Sequence, residues 1–154
     1  MRFERMAGEF TVSTDRGRLD LAMVHAFLTD CYWAKRIPLE VVRRSVENSL
    51  CFGVYRGQEQ LGFARVISDY ATFAYLADVF ILESHRGRGL SKLLMESIMQ
   101  HPELQGLRRW SLATSDAHGL YEQFGFKPLR KPTMWMEIHN ADVYHAQPKA
   151  GRAH

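Results

Sequence analysis

The sequence predicts an α/β fold in which helices flank a mixed, mostly antiparallel central sheet. Three observations predict it. Segments of helical period and segments of strand character alternate along the 154 residues. "LCFGVYRGQEQLGFARVIS" holds two apolar stretches separated by Arg56-Gly57-Gln58-Glu59, which reads as a hairpin turn. That hairpin argues against an all-parallel, doubly wound sheet. A further apolar stretch, "TFAYLADVFIL", then runs directly into a turn containing Gly87 and Gly89.

The elements follow in order. "FTVST" reads as a first strand. Val24, Phe27, Leu28 and Cys31 recur at i, i+3, i+4 and i+7, one face of a helix. Pro38 can open a second helix, with Leu39, Val42 and Val46 on its inner side and Arg43, Arg44 and Glu47 outward. Three strands come next. The third, "TFAYLADVFIL", is nearly continuous in apolar character, so a central position buried on both faces is expected. Leu90, Leu93, Leu94 and Ile98 form the buried stripe of another helix, ended by Pro102 and Gly106. "RRWSLAT" reads as a strand. "SDAHGLYEQFGF" reads as a short helix capped by Ser115 or Asp116 and closed at Gly125. "TMWMEIH" is expected to close the sheet, with Met134, Met136 and Ile138 on one face.

The length fits one domain spanning residues 1–154, with a flexible tail from about residue 141. The net charge of +3 is small and scattered. It suits a small polyanionic ligand and forms no basic stripe of the kind nucleic acid needs. No apolar run reaches the length of a membrane span. The start, "MRFERMAGEF", carries acids where a signal peptide needs an apolar region. Cys31 and Cys51 lie in apolar contexts without a C-x-x-C, so buried free thiols and a reducing, cytoplasmic setting are expected. The seven histidines show no ligand spacing, and no metal is expected.

The glycine turn carries the chemistry. Gly87 and Gly89 are interleaved with Arg86 and Arg88, and Lys92 follows at the mouth of the helix. A helix N-terminus leaves backbone N–H groups unpartnered and bears the positive end of the dipole. Glycines let a phosphate approach that backbone, and the cations add charge. A tight turn with solvated arginines fits the same residues. A dinucleotide fingerprint does not, because Lys92 stands where its third glycine belongs.

The stretch Arg86-Gly87-Arg88-Gly89-Leu90-Ser91 resembles the acetyl-coenzyme A motif of the GNAT superfamily of N-acetyltransferases. Ser91 departs from the family's Gly or Ala at the last position. "GLYEQFGF" looks like the family's second signature, and the strand order resembles the family's from about Thr11 to Ile138. The resemblance implies the GNAT acyl-coenzyme A N-acyltransferase fold and acetyl-coenzyme A as cosubstrate. It implies that Val79, Phe80 and Ile81 pair through their backbone with the pantetheine arm. It implies that Arg86 to Lys92 bind the pyrophosphate, and that Tyr121 serves as general acid. The residues alone would equally make Tyr121 a core tyrosine with its hydroxyl at the rim.

Asp78 lies inside an apolar strand and needs partners. It reads as a base, as an anchor for the amine, or as a structural acceptor bonding a loop or an arginine. Tyr75 stands where some family members place a glutamate base, and Asp69 and Asp116 are alternatives. Tyr32, Trp33 and His118 are candidates for the amine pocket; packing under a loop, and a helix cap for His118, fit as well. The expected activity is acetyl transfer to a small-molecule or peptide amine by direct attack in a ternary complex. Neither nucleic acid nor membrane is an expected partner, and the chain is expected as a monomer or homodimer. The alternative is a non-catalytic acyl-coenzyme A-binding sensor or interaction module.

Overall fold

The computed structural model describes residues 2–144. Six strands lie side by side in chain order: β1 (Glu4–Ala7), β2 (Phe10–Ser13), β3 (Leu50–Arg56), β4 (Glu59–Ser68), β5 (Phe73–Ile81) and β6 (Arg109–Ser111). All neighbours are antiparallel except β5 and β6, which run parallel. α1 (Leu21–Thr29) and α2 (Leu39–Glu47) connect β2 to β3, and α3 (Leu90–Met99) connects β5 to β6. The short α4 (His118–Glu122) follows β6. The expected α/β class is what the chain forms.

Helices cover both faces of the sheet. Leu90, Leu93, Leu94 and Ile98 of α3 pack on Phe52, Val54 and Val66. Val24, Leu28, Val42 and Val46 of α1 and α2 pack on Cys51, Phe63 and Phe80. The helix starts follow local rules. Asp20 accepts a hydrogen bond from the Met23 N–H at 3.0 Å, and Pro38 caps α2 in extended backbone. The hairpin at Arg56 to Glu59 forms as expected, with those two residues paired across Gly57 and Gln58.

Several elements differ from expectation. β1 pairs with β2 at the sheet edge although its residues are mostly exposed, so no apolar alternation marks it. Leu39 is 40% exposed, because α2 begins there and its first turn projects past the core. Cys51 is buried and free, but Cys31 is partly exposed just beyond the end of α1. β5 is not buried on both faces; that position belongs to β3 and β4.

β5 also breaks its own alternation. Phe63 pairs with Phe80 and Arg65 with Ala77, so β5 carries one residue more than β4 between them. This is a bulge. Ala74 and Leu76 join the α3-side core before it, and Ile81 rather than Phe80 joins that core after it. Asp78 stands in the bulge at φ +55°. Aspartate tolerates that left-handed conformation better than the apolar residues around it.

"TMWMEIH" does not close the sheet. Pro132 opens a turn of 3-10 helix to Met134, and Met134, Met136 and Ile138 are 71%, 95% and 104% exposed. The alternation is present, but the segment has no ladder partner among the described residues. It is held by side chains instead, with the Arg109 guanidinium 5.0 Å from the Trp135 ring centre and Tyr144 against the α1–α2 core. From residue 145 on, the expected tail lies outside the described residues.

His101, just past α3, is fully buried between Phe3 and Phe52. Its Nδ1 accepts from the Glu103 N–H at 3.1 Å, so the neutral ring carries its proton on Nε2. Burial pushes its pKa below the ordinary value. A lowered folded pKa means that the unfolded chain takes up the proton first. Stability is therefore full above the unfolded value of about 6.5 and falls as pH drops below it. The melting temperature should fall from pH 7 to pH 5. His101→Asn, which keeps an acceptor for Glu103, should flatten that fall. Equal slopes in the two proteins would assign it to other groups.

Candidate active site

The glycine turn is built as a cradle. Gly87 and Gly89 adopt φ of +80° and +76°, conformations that favour glycine. An added Cβ at either would meet nothing within 4 Å, so backbone conformation, not crowding, demands glycine there. The α3 ladder begins with the Leu93 N–H donating to the Gly89 carbonyl at 3.1 Å. The amides of Leu90, Ser91 and Lys92 precede that first bond. Arg86 Nε donates to the Ile81 carbonyl at 3.0 Å and pins the turn to the end of β5. Gly87, Gly89, Leu90, Ser91 and Lys92 line a concavity of about 130 Å³. Arg88 and Lys92 are exposed beside it.

β5 leads away from this cradle with a free edge. It pairs with β6 only from Phe73 to Tyr75, and beyond Tyr75 the two chains part. A cavity of about 710 Å³ opens there, with Asp78 and Val79 on one side and Leu112 to Ala117 on the other. Ile81 borders the cradle and Val79 borders the cavity. At about 3.3 Å per strand residue they are roughly 7 Å apart.

Tyr121 of α4 projects into the cavity from the β6 side. Its ring is 8% exposed and meets Phe126 edge-on at 6.0 Å. Burial first, then the Asp116 and Tyr32 charges, push its pKa up to about 12. The hydroxyl keeps its proton throughout the physiological range, as a proton donor must.

A strap crosses the opposite wall. The α1–α2 connection carries Tyr32 and Trp33, and His25 Nε2 donates to the Ile37 carbonyl at 3.0 Å beneath it. Trp33 Nε1 donates to Asp78 Oδ1 at 2.8 Å. Ser115 Oγ donates to the Tyr32 hydroxyl at 2.8 Å. The strap is thus tied to both walls of the cleft. Arg65 Nε donates to the other Asp78 oxygen at 2.9 Å. Both oxygens of Asp78 are engaged, by the loop and by the arginine.

The sequence profile of the acetyltransferase (GNAT) domain matches residues 47–128, from the end of α2 through α4. A Gibberella zeae protein named "Putative acetyltransferase" is 32% identical over 148 residues, covering 80% of this chain and 82% of its own length. The chain belongs to the GNAT acetyltransferase family. A solved structure from Xanthomonas campestris pv. campestris, a "putative acetyltransferase belonging to the gnat family", is 56% identical. It superposes with a TM-score of 0.87 and covers 89% of this chain and 97% of its own. A Deinococcus radiodurans structure of the same general description, 20% identical with a TM-score of 0.70, shares the fold. It covers 94% of this chain and 97% of its own.

Within the acetyltransferase cleft, Tyr32, Trp33, Asp78, Val79 and Tyr121 come together. Tyr75 and Asp116 also line it. His118 does not; it is exposed on α4 outside the cavity lining. Neither Ser115 nor Asp116 caps α4. Ala117 stands at that position without a side-chain cap, and Thr114 Oγ1 accepts from the Ala117 N–H at 3.1 Å in the turn ahead of the helix. Asp69 lies in the β4–β5 turn, where the Thr72 hydroxyl and the amides of Ala71 to Phe73 donate to it. Those bonds hold its pKa far below the usual carboxylate range, so it is committed to the turn.

Sequence reasoning missed Arg65, Glu137 and His139 as cavity residues. Only Glu137 and His139 had a local signal, and it read as a strand. Among the described residues, no group of three or more His, Cys, Asp or Glu is placed to hold a metal ion. Among the described residues, no helix is long and apolar enough to cross a membrane.

Proposed function

We infer that this acetyltransferase transfers the acetyl group of acetyl-coenzyme A to a primary amine, with both bound at once. One observation carries the reading: the glycine cradle and the cavity lined by Tyr121 border the same strand, at Ile81 and at Val79, past the point where β6 leaves it. The residues present fit the coenzyme. The cradle amides, with Arg88 and Lys92, suit its pyrophosphate, and the β5 edge past Tyr75, which has no strand beside it, suits its amide-containing arm. Bound acetyl-coenzyme A supplies the activated thioester.

The chain's own residues then have separate tasks. Tyr121 Oη holds a proton for the departing sulfur. The free N–H groups of β5 suit the carbonyl oxygen as charge gathers on it. The strap of Tyr32 and Trp33 narrows the approach to that carbonyl. Asp78, bonded by Arg65 and Trp33, anchors the wall and is not the base; the amine's proton leaves to water in the open cleft.

The test is a panel of primary amines with acetyl-coenzyme A, followed by free-thiol release and by mass spectrometry of the product. An N-acetylated product is expected for at least one amine. Tight acetyl-coenzyme A binding in calorimetry with no turnover on any amine would instead indicate a binding module.

A further inference from the structure

We propose that Asp78 sets the charge of the acceptor: by cancelling Arg65, it leaves a cleft for cationic amines that carry no carboxylate or phosphate. The inference rests on the acetyl-transfer reading above and names its substrate class.

Arg65 is the lone arginine or lysine lining the cavity among the described residues. Its guanidinium is matched to Asp78 at 2.9 Å, with side chains 17% and 10% exposed. Its Nη1 is spent on Ser49 Oγ at 3.2 Å. A pair this close presents no net charge to a ligand, and both Asp78 oxygens are already engaged. Besides the tyrosines, the remaining ionisable side chains of the lining are Asp116, Glu137 and His139. Even a protonated His139 leaves that set net negative. Neither carboxylate has an ion-pair partner among the described residues.

The rest of the wall suits a cation. Tyr32, Trp33, Tyr75 and Tyr144 put aromatic rings around the space. Ring faces attract an ammonium, most strongly where water is partly excluded. Among the described residues, an acidic group on the acceptor would meet two carboxylates and no unpaired arginine or lysine, and would lose hydration without replacement. The charges of the molecule are thus segregated. Arg86 and Lys92 line the cradle, and the carboxylates line the cavity.

Asp78→Asn separates this idea from a purely structural role. Asparagine tolerates the φ of +55° and still accepts from Trp33, but it no longer neutralises Arg65. The experiment compares matched acceptors: tyramine with tyrosine, 1,4-diaminobutane with ornithine, ethanolamine with phosphoethanolamine. The parent should favour the bare amine of each usable pair by at least tenfold in kcat/KM. Asp78→Asn should shrink that preference at least fivefold, and Arg65→Gln should keep it. Equal or better use of the acid-bearing partner by the parent would overturn the proposal, as would an unchanged ratio in folded Asp78→Asn. If Asp78→Asn fails to fold, the exposed Glu137→Gln serves, with an expected threefold or greater loss of the preference; an unchanged ratio counts against the proposal. If no amine turns over, the acetyl-transfer reading fails separately. Calorimetry of the same pairs on the coenzyme A-saturated protein then decides the charge selection. Tighter binding of the bare amines supports it, and tighter binding of the acids, or none of either, overturns it.

Discussion

Tyr121→Phe should slow single-turnover acetyl transfer about a hundredfold or more while leaving the fold intact, the usual cost of losing a positioned proton donor. The substitution removes one hydroxyl and keeps the ring that meets Phe126 at 6.0 Å. Acetyl-coenzyme A affinity should hold within a few fold, because the cradle and the β5 edge are untouched. The pH profile adds a second reading. With its pKa near 12, the parent tyrosine stays protonated, so its rate should not fall between pH 7 and 9 through loss of that proton. The measurements are rapid-mixing transfer with the best acceptor and a binding titration. A mutant that transfers at the parent rate would leave Tyr121 as a packing residue, with water supplying the proton.

Gly89→Val should weaken coenzyme A binding by roughly ten- to hundredfold, measured by calorimetry. A β-branched residue at φ +76° is strained by roughly 1–2 kcal/mol, so the start of α3 must rearrange. That start aims the amides ahead of the helix's first bond, and each lost hydrogen bond to a charged group is worth roughly 1.5–3 kcal/mol. An added Cβ there meets nothing within 4 Å, so the hydrophobic packing of Leu93, Leu94 and Ile98 should survive. A control at Gly87, two residues earlier and also at positive φ, should behave similarly. Unchanged affinity in a folded Gly89→Val protein would remove the phosphate assignment.

How legible all this was depended on whether a residue's role is local. The stripe of Leu90, Leu93, Leu94 and Ile98, the turn at Gly57, and the glycine cradle each follow from neighbours in sequence. Tyr121 was legible by resemblance. β1 was not, because an exposed edge strand has no apolar face to alternate. The bulge at Asp78 was hidden for another reason: an extra residue in one strand is defined only by its partner's register. Arg65 carries no local signal, because its partner lies 13 positions away. "TMWMEIH" has a real two-residue period, yet a period specifies a face and not a neighbour. The cleft is where such non-local facts gather, so the pocket was the least readable part.

The chain-order sheet has a further consequence for how this molecule can change. Turns of two to four residues join β1 to β2, β3 to β4 and β4 to β5, whereas residues 14–49 separate β2 from β3 and 82–108 separate β5 from β6. Those two long connections cost roughly 2 kcal/mol more to close than the four-residue turn. They also carry the strap and the cradle. Loop cost rises slowly with length, so doubling the strap's connection would add only about 0.6 kcal/mol. The hairpins that hold the core would not register the difference. Lineages can therefore rebuild the strap and the turn before α3, residue by residue or by insertion, while the hairpin-joined strands stay fixed. The two long connections, not the hairpins, are what this architecture leaves freest to evolve.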